Sequence, residues 1–465
     1  MKALLLSPPY LKDYMRNARC DFVSLSGTQW FPILLGYLGV FLEGRGVEVK
    51  FVDAPAYNLS KKDVEDIYLE YSPDFLIVYP GDKSRDSDIE FGDLLLCKHK
   101  IPAIFVGPYF SMEPDYFLSK SQNILFGALG EFEYPVWDLI KGESPKDINN
   151  LARKEGSEII KNSIRPYLTQ PELDKIPFVS EFFNRHLDFK YYHTPSEPHP
   201  FVDIMTGRGC KWGMCTFCLW AHTYIRGCTY NTRSINSVLN ELEYIEESMS
   251  SVRSIMIQDD TLPKDRIEEF CKEKLNRGIK IRWSCYLRAD IDYETLKLMK
   301  QAGCLNIHVG FESANNEVMK QIKKGLTKDR MTQFALDAKK AGLKIHGDFL
   351  IGLPGDNEES IRDMINWACT IRPYTAQFQV FIPFKGTAIY EEMNREGLIK
   401  DARVYYPDLS NERIEYLSKL AYRKFYISLP YFLEVIKHPI DLFFKKTRTI
   451  CRSLPSILWK KMDIR

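Results

Sequence analysis

Two α/β units in tandem are what this 465-residue sequence predicts: a doubly wound, Rossmann-like parallel sheet over residues 1–145 and a partial (βα)6 barrel over 199–405. A connector at 146–198 joins them, and a small helical region follows at 406–465. Three observations carry the prediction. Short apolar runs recur without polar alternation, as expected of strands buried on both faces of a parallel sheet. Segments with helical apolar spacing, closed by Gly or Pro, separate these runs. In the second half six strands alternate with five helices, and polar residues collect where the strands end, the position at which α/β barrels hold reactive groups.

Taken in order, KALLLSPP is a strand stopped by Pro8 and Pro9, and PILLGYLGVFLEGRG from Pro32 is an amphipathic helix closed by Gly44 and Gly46. VEVKFVDAP, DFLIVYPG from Asp74 and AIFVGP from Ala103 are strands, with DIEFGDLLLCKHK a helix between the last two. NILFGALGEFEYP adds one more short strand and a turn. Ligands of such sheets lie beyond the carboxyl ends of the strands. This singles out Pro9, Asp53, Ala54, Tyr79, Gly81, Gly107, Pro108, Gly130 and Glu131, although for each glycine taken alone a turn is the favoured reading.

The connector carries loop composition in KGESPKDINN and HTPSEPHP, and LARKEGSEIIKN has the pattern of a hairpin turning near Glu155 and Gly156. In the second unit the strand PFVDIMTGRGC runs into a glycine-rich loop. The strands SIMIQDDTL, KIRWSCYLRA, NIHVGFES, KIHGDFLIGLPG and AQFQVFIPFKGT follow, each after a helix. Their ends expose Gln258, Asp259 and Asp260, then Ser284 and Arg288, then Glu312 and Ser313, then Gly352 to Gly355. A large polar cofactor across a barrel mouth needs partners of this kind. Asp259 and Asp260 are equally placed to cap the helix that follows them.

The densest chemical signal is CKWGMCTFC, which sets Cys210, Cys215 and Cys218 in the loop after the first barrel strand. Three clustered thiols without a fourth suggest a metal centre that keeps one position open. The rival is a structural zinc completed by His222, four residues beyond Cys218. The other eight cysteines are scattered singly, and the start MKALLLSPPY has no secretory pattern, so a reducing cytoplasm is expected. A net charge of +1 gives no general polyanion-binding character, so no nucleic-acid partner is expected. No apolar run approaches the roughly 20 residues that span a bilayer.

Residues 201–401 resemble the radical S-adenosylmethionine (SAM) core, whose cysteine motif here has the form Cys210-x4-Cys215-x2-Cys218 with Phe217 before the last cysteine. The first gap is one residue longer than usual, a form found in relatives with an N-terminal cobalamin domain. Residues 1–145 resemble that domain. Members that ligate cobalt with histidine carry Asp-x-His-x-x-Gly; here Pro55 stands at the histidine position after Asp53, so a corrinoid would be held without it.

The resemblance implies a 4Fe-4S cluster on the three cysteines, with the fourth iron chelating the amino and carboxylate groups of SAM. Reductive cleavage then releases a deoxyadenosyl radical. It places Phe217, Asp259, Asp260, Ser284, Arg288, Glu312, Gly352 and Gly355 as SAM contacts, and the nine residues at the first sheet's strand ends as cobalamin contacts. The leading function is cobalamin-dependent methylation of an unactivated carbon on a small-molecule or lipid substrate, with an external low-potential electron donor. A radical cyclase or carbon-rearrangement enzyme of the same architecture is the alternative, and a metal-stabilised binding protein the third. After Pro430 basic and apolar residues interleave; a helix packed on the barrel is favoured there over peripheral membrane contact.

Overall fold

The computed structural model describes residues 1–465 except 18–20, 25, 401–402, 405, 407–408, 430, 432 and 434–465. The first unit is a seven-stranded sheet. Its parallel strands are β1 (Lys2–Ser7), β2 (Glu48–Asp53), β3 (Phe75–Val78), β4 (Ala103–Phe105) and β5 (Phe126–Ala128), in the order β2-β1-β3-β4-β5. The strands are wholly apolar at their centres because helices cover both faces, as with Leu4, Leu5, Leu76 and Ile77, all at 0% exposure. The hairpin read into the connector does form, as β6 (Leu151–Glu155) and β7 (Glu158–Lys161). It joins the sheet antiparallel beside β5, so the first sheet extends into the segment expected to be a connector.

The second unit is a six-stranded parallel sheet in sequential order: β8 (Phe201–Ile204), β9 (Ser254–Ile257), β10 (Arg282–Leu287), β11 (Cys304–Glu312), β12 (Lys344–Ile351) and β13 (Thr375–Val380). Each expected strand and each of the five intervening helices is present. The helix Asn411–Tyr426 packs on the outer side of β13 through Tyr422 and Phe425, whose rings lie 5.4 and 5.9 Å from Phe378. The interfacial segment considered after Pro430 lies almost wholly outside the described residues. Among the described residues no helix is long and apolar enough to cross a membrane.

The two units share one apolar core, which runs without a break from Ala3 to Phe425. Polar pins reinforce it. Tyr37 of the first unit accepts from the Met205 amide and donates to its carbonyl, both at 3.1 Å, just past the end of β8. Arg233 beside it is paired with Glu241 at 2.5 Å, and Ser180 of the connector donates to the same carboxylate at 2.8 Å. A buried cation needs such a partner, since removing either group would leave an uncompensated charge.

Candidate active site

The cysteine loop leaves β8 through a small antiparallel hairpin, Gly207–Gly209 against Tyr230–Thr232, so that both ends of residues 210–229 are tied together. Two glycines make this closure possible. Gly209 has φ +90°, and a Cβ there would meet the Thr229 carbonyl at 2.2 Å. Gly213 has φ +56°, and a Cβ there would meet the Gly227 carbonyl at 2.2 Å. No L side chain fits either position without the loop opening.

Cys215 is 9% exposed, and the Cys218 amide donates to its carbonyl at 3.2 Å, a turn that brings the second and third cysteines together along the backbone. The loop is fastened to the far side of the barrel: Thr216 donates to the Ile322 carbonyl and accepts from the Ile389 amide, both at 3.1 Å. Burial pushes the Cys218 thiol up to about 12. It raises Cys215 as well, opposed there by the cations of Lys324 and Arg288. Thiols of this kind hold their protons until a metal displaces them.

Among the described residues, no three His, Cys, Asp or Glu side chains converge on a point that would take a single metal ion. The Cys3His zinc set is therefore not formed, since one zinc draws four ligands into a single sphere. His222 instead has Nδ1 2.7 Å from the Cys218 carbonyl. Thiolates that bind different irons of a cluster need not converge on one point as the ligands of a single zinc do.

Several residues expected from the sequence meet around Lys324, which sequence reading missed. Its amine lies 2.8 Å from Glu312 and 5.8 Å from the ring centroid of Phe217. Arg288 donates to the Lys324 carbonyl at 2.9 Å and lies 4.5 Å over the Trp212 ring. Glu312 has φ +60° beside a register shift between β11 and β12. A non-glycine residue held in that region costs about 1–3 kcal/mol and is found where the surroundings fix a side chain for a purpose. Cys215, Phe217, Arg288, Glu312 and Lys324 thus form one polar, cation-bearing neighbourhood at the barrel mouth.

Other expected residues are occupied differently. Neither Asp259 nor Asp260 caps the following helix, Lys264–Asn276, whose N-cap is Pro263. Asp259 is 0% exposed and accepts from the Thr206 amide and hydroxyl, both at 2.6 Å, and from Tyr230 at 2.7 Å. It braces the hairpin, and burial raises its pKa against these hydrogen bonds. Asp260 accepts from the Gly209 amide at 3.0 Å, next to Cys210.

Ser284 is third in β10, not at its carboxyl end, and donates to Glu197 of the connector at 3.0 Å, deep in the barrel. The reason is length: β10 runs on to Leu287, which puts Arg288 at the mouth and Ser284 below it. Gly352 and Gly355 lie in a turn closed by Asp356, which accepts from the amides of Gly352 and Leu353 at 3.2 and 3.0 Å.

In the first unit the strand order matches the flavodoxin-like pattern, whose ligand crevice is the switch point between β1 and β3. Here a hairpin, Tyr14–Arg16 against Asp21–Val23, covers that crevice. Arg16 donates to the Pro8 carbonyl at 2.8 Å and pairs with Asp88 at 3.0 Å, both side chains fully buried. Gly81 packs beneath it, a Cβ there meeting Asp21 Oδ2 at 2.4 Å, and Pro9 directly follows the carbonyl that Arg16 holds. Asp53 accepts from Tyr192 at 3.0 Å, with Ala54 opening a short helix behind it. Glu131 accepts from the Leu168 amide at 2.8 Å and pairs with Arg208 at 2.9 Å.

The remaining strand ends, Tyr79, Gly107, Pro108 and Gly130, face the barrel. The Tyr224 carbonyl lies 3.3 Å from a Cβ built on Gly130, and Tyr109 lies 6.2 Å from Phe384 of the last barrel loop. Arg208 spans the junction, donating to Glu131 at 2.9 Å and Glu133 at 2.6 Å from two residues before Cys210. The hydroxyls of Tyr79 and Tyr224 are buried there with no hydrogen-bond partner among the described residues. Buried hydroxyls are seldom left so, and these two fit the amide side chains of a corrinoid.

Residues 204–368 match the Radical SAM superfamily. Over 447 residues the chain is 26% identical to an uncharacterized methyltransferase of Pyrococcus horikoshii, covering 92% of this chain and 93% of that one. It is 25% identical to cytidylyl-2-hydroxyethylphosphonate methyltransferase of Streptomyces wedmorensis, covering 86% and 82%. The structure of the radical SAM methyltransferase TsrM from Kitasatospora setae, with cobalamin and a 4Fe-4S cluster bound, superposes with a TM-score of 0.63 over 85% of this chain and 78% of that one at 18% identity. That likeness establishes a common two-unit fold.

Proposed function

We propose that this chain, whose residues 204–368 match the Radical SAM superfamily, is a cobalamin-dependent radical SAM methyltransferase that methylates an unactivated carbon of a small molecule, using electrons from an external donor. One observation carries the reading. The carboxyl edge of the first sheet is packed against the cysteine loop, pinned by Arg208 and lined by the Tyr79 and Tyr224 hydroxyls, which have no hydrogen-bond partner among the described residues. A methyl-donating cofactor and a radical-generating one are useful together only at such a junction.

When bound, a 4Fe-4S cluster on Cys210, Cys215 and Cys218 supplies a low-potential electron and an open iron for SAM, and a corrinoid supplies a transferable methyl group. The chain's own residues then have separable duties. Arg288 and Lys324 offset the negative charge that thiolates bring to the loop, and Glu312 keeps Lys324 in place. Phe217 offers an aromatic face for the adenine, under the Lys324 amine. Asp260 holds the amide before Cys210, and Tyr79 and Tyr224 offer hydroxyls to the corrinoid. The shared core and the helix Asn411–Tyr426 exclude water from the outside of the barrel.

The test is anaerobic reconstitution with iron, sulfide and hydroxocobalamin, incubation with SAM and a low-potential chemical reductant as electron source, and product analysis. We expect both deoxyadenosine and S-adenosylhomocysteine, because a second SAM restores the transferred methyl. Deoxyadenosine without S-adenosylhomocysteine would favour the cyclase or rearrangement reading. Cys215→Ala is expected to lower deoxyadenosine to background, and its persistence would sink the assignment.

A further inference from the structure

The inner face of the barrel contains a second polar surface that none of these duties uses. On β12, Ile345, Gly347, Phe349 and Ile351 are buried while Lys344, His346, Asp348 and Leu350 are partly exposed, a strict alternation. Phe349 and Phe311 both meet Trp367 of the covering helix, at 6.0 and 5.5 Å between ring centroids, so the buried set is the outer one. The partly exposed set therefore faces the lumen, and its exposure means that the lumen is open along β12. Register carries the surface onto β13, where Thr375 and Gln377 stand opposite His346 and Asp348.

The surface carries one lysine and one carboxylate, held apart: Lys344 opens β12 over the ring of Tyr374, and Asp348 stands four residues on. His346 has Nδ1 2.7 Å from the Thr375 hydroxyl and Nε2 3.3 Å from Asp348. Asp348 keeps 33% of its side chain exposed, and among the described residues no Lys or Arg pairs with it. The cations that could answer it are engaged elsewhere: Lys324 with Glu312, Arg288 with Asp290, and Lys344 over the ring of Tyr374. A partly exposed carboxylate on the inner face of the barrel, fixed by a histidine and flanked by Gln377, is complementary to a cation that also donates hydrogen bonds.

We propose that the inner face of β12 and β13 is where the methyl acceptor is recognised, and that the acceptor presents a protonated amine to Asp348, with His346 positioning the carboxylate. The inference rests on the methyltransferase reading for the identity of its occupant, but its test needs no turnover. The reconstituted holoenzyme is titrated calorimetrically with three probes of equal length: 1,4-diaminobutane, 1,4-butanediol and succinate. Diaminobutane is expected to bind at least tenfold more tightly than succinate, with butanediol between them. Asp348→Asn should cost diaminobutane at least tenfold, and His346→Gln severalfold, with unchanged thermal melting showing that both variants fold.

Saturating SAM should leave diaminobutane binding intact. Succinate binding as well as the diamine, Asp348→Asn keeping full affinity, or displacement of the diamine by SAM would each overturn the proposal, the last by assigning the surface to the cofactor. Absence of deoxyadenosine, with the diamine still bound at Asp348, would count against the radical reading alone.

Discussion

Cys210, Cys215 and Cys218 are set by glycines as much as by their own spacing. Gly213 lies inside the motif at φ +56°, with the Gly227 carbonyl where a Cβ would be. Replacing it forces the left-handed conformation on an L residue, about 1–2 kcal/mol, and adds a collision with backbone. Gly213→Ala is therefore expected to lower iron bound per chain after reconstitution by severalfold while leaving far-ultraviolet circular dichroism unchanged. Iron analysis beside that spectrum checks it. The cysteines and Phe217 were legible because motif residues lie close together in sequence. Lys324 was not: it follows a short helix more than a hundred positions later and meets Cys215 only through the fold. The hairpin of Tyr230 was equally hidden, so the role of Asp259 as its brace could not be read from the strand end.

At the scale of elements, the six barrel strands and the five parallel strands of the first sheet were legible because continuous apolar runs between helices have few other uses. Where a strand stops was less legible, and this is why Ser284 falls inside β10 instead of at its mouth. The contact between strand end and connector was also invisible, and it has a thermodynamic signature. Asp53 ends β2 beneath Tyr192, and burial pushes its carboxyl up to about 6 from 3.8.

A folded-state value above the unfolded one means that folding favours the protonated acid. The stability this contributes is full below pH 3.8 and is lost as pH rises through about 6. Asp53→Asn keeps a neutral acceptor for Tyr192. Its stability relative to the parent should climb between these two values and level off above them, by on the order of 2–3 kcal/mol. Denaturant unfolding at a series of pH values measures it, and a flat difference would show that Asp53 ionises freely.

Across the whole molecule the two units depend on each other at the cofactor junction. Arg208 is 2% exposed and has two buried carboxylates as partners, Glu131 and Glu133, both from the first unit. Arg208→Met would leave two buried acids facing each other without a cation, a loss of about 3–5 kcal/mol. Adding Glu131→Gln and Glu133→Gln to it should restore a large part of the melting temperature, because the uncompensated charges are then gone. If Arg208 serves only the fold, the triple variant regains full iron and corrinoid content. If it positions the two sites, stability returns while the ratio of S-adenosylhomocysteine to deoxyadenosine stays depressed.

Trp30 belongs to the first unit, yet its ring lies 5.6 Å from Phe201 and 6.0 Å from His308, on the inner side of the barrel. The His308 ring in turn lies 4.7 Å from that of His346, tilted by 38°. In terms of recombination, the units are not interchangeable cassettes: a chimera that borrows another first unit also borrows one wall of the barrel's pocket. Changes in what the pocket accepts can therefore enter through the segment before the first helix, far from any barrel strand in sequence.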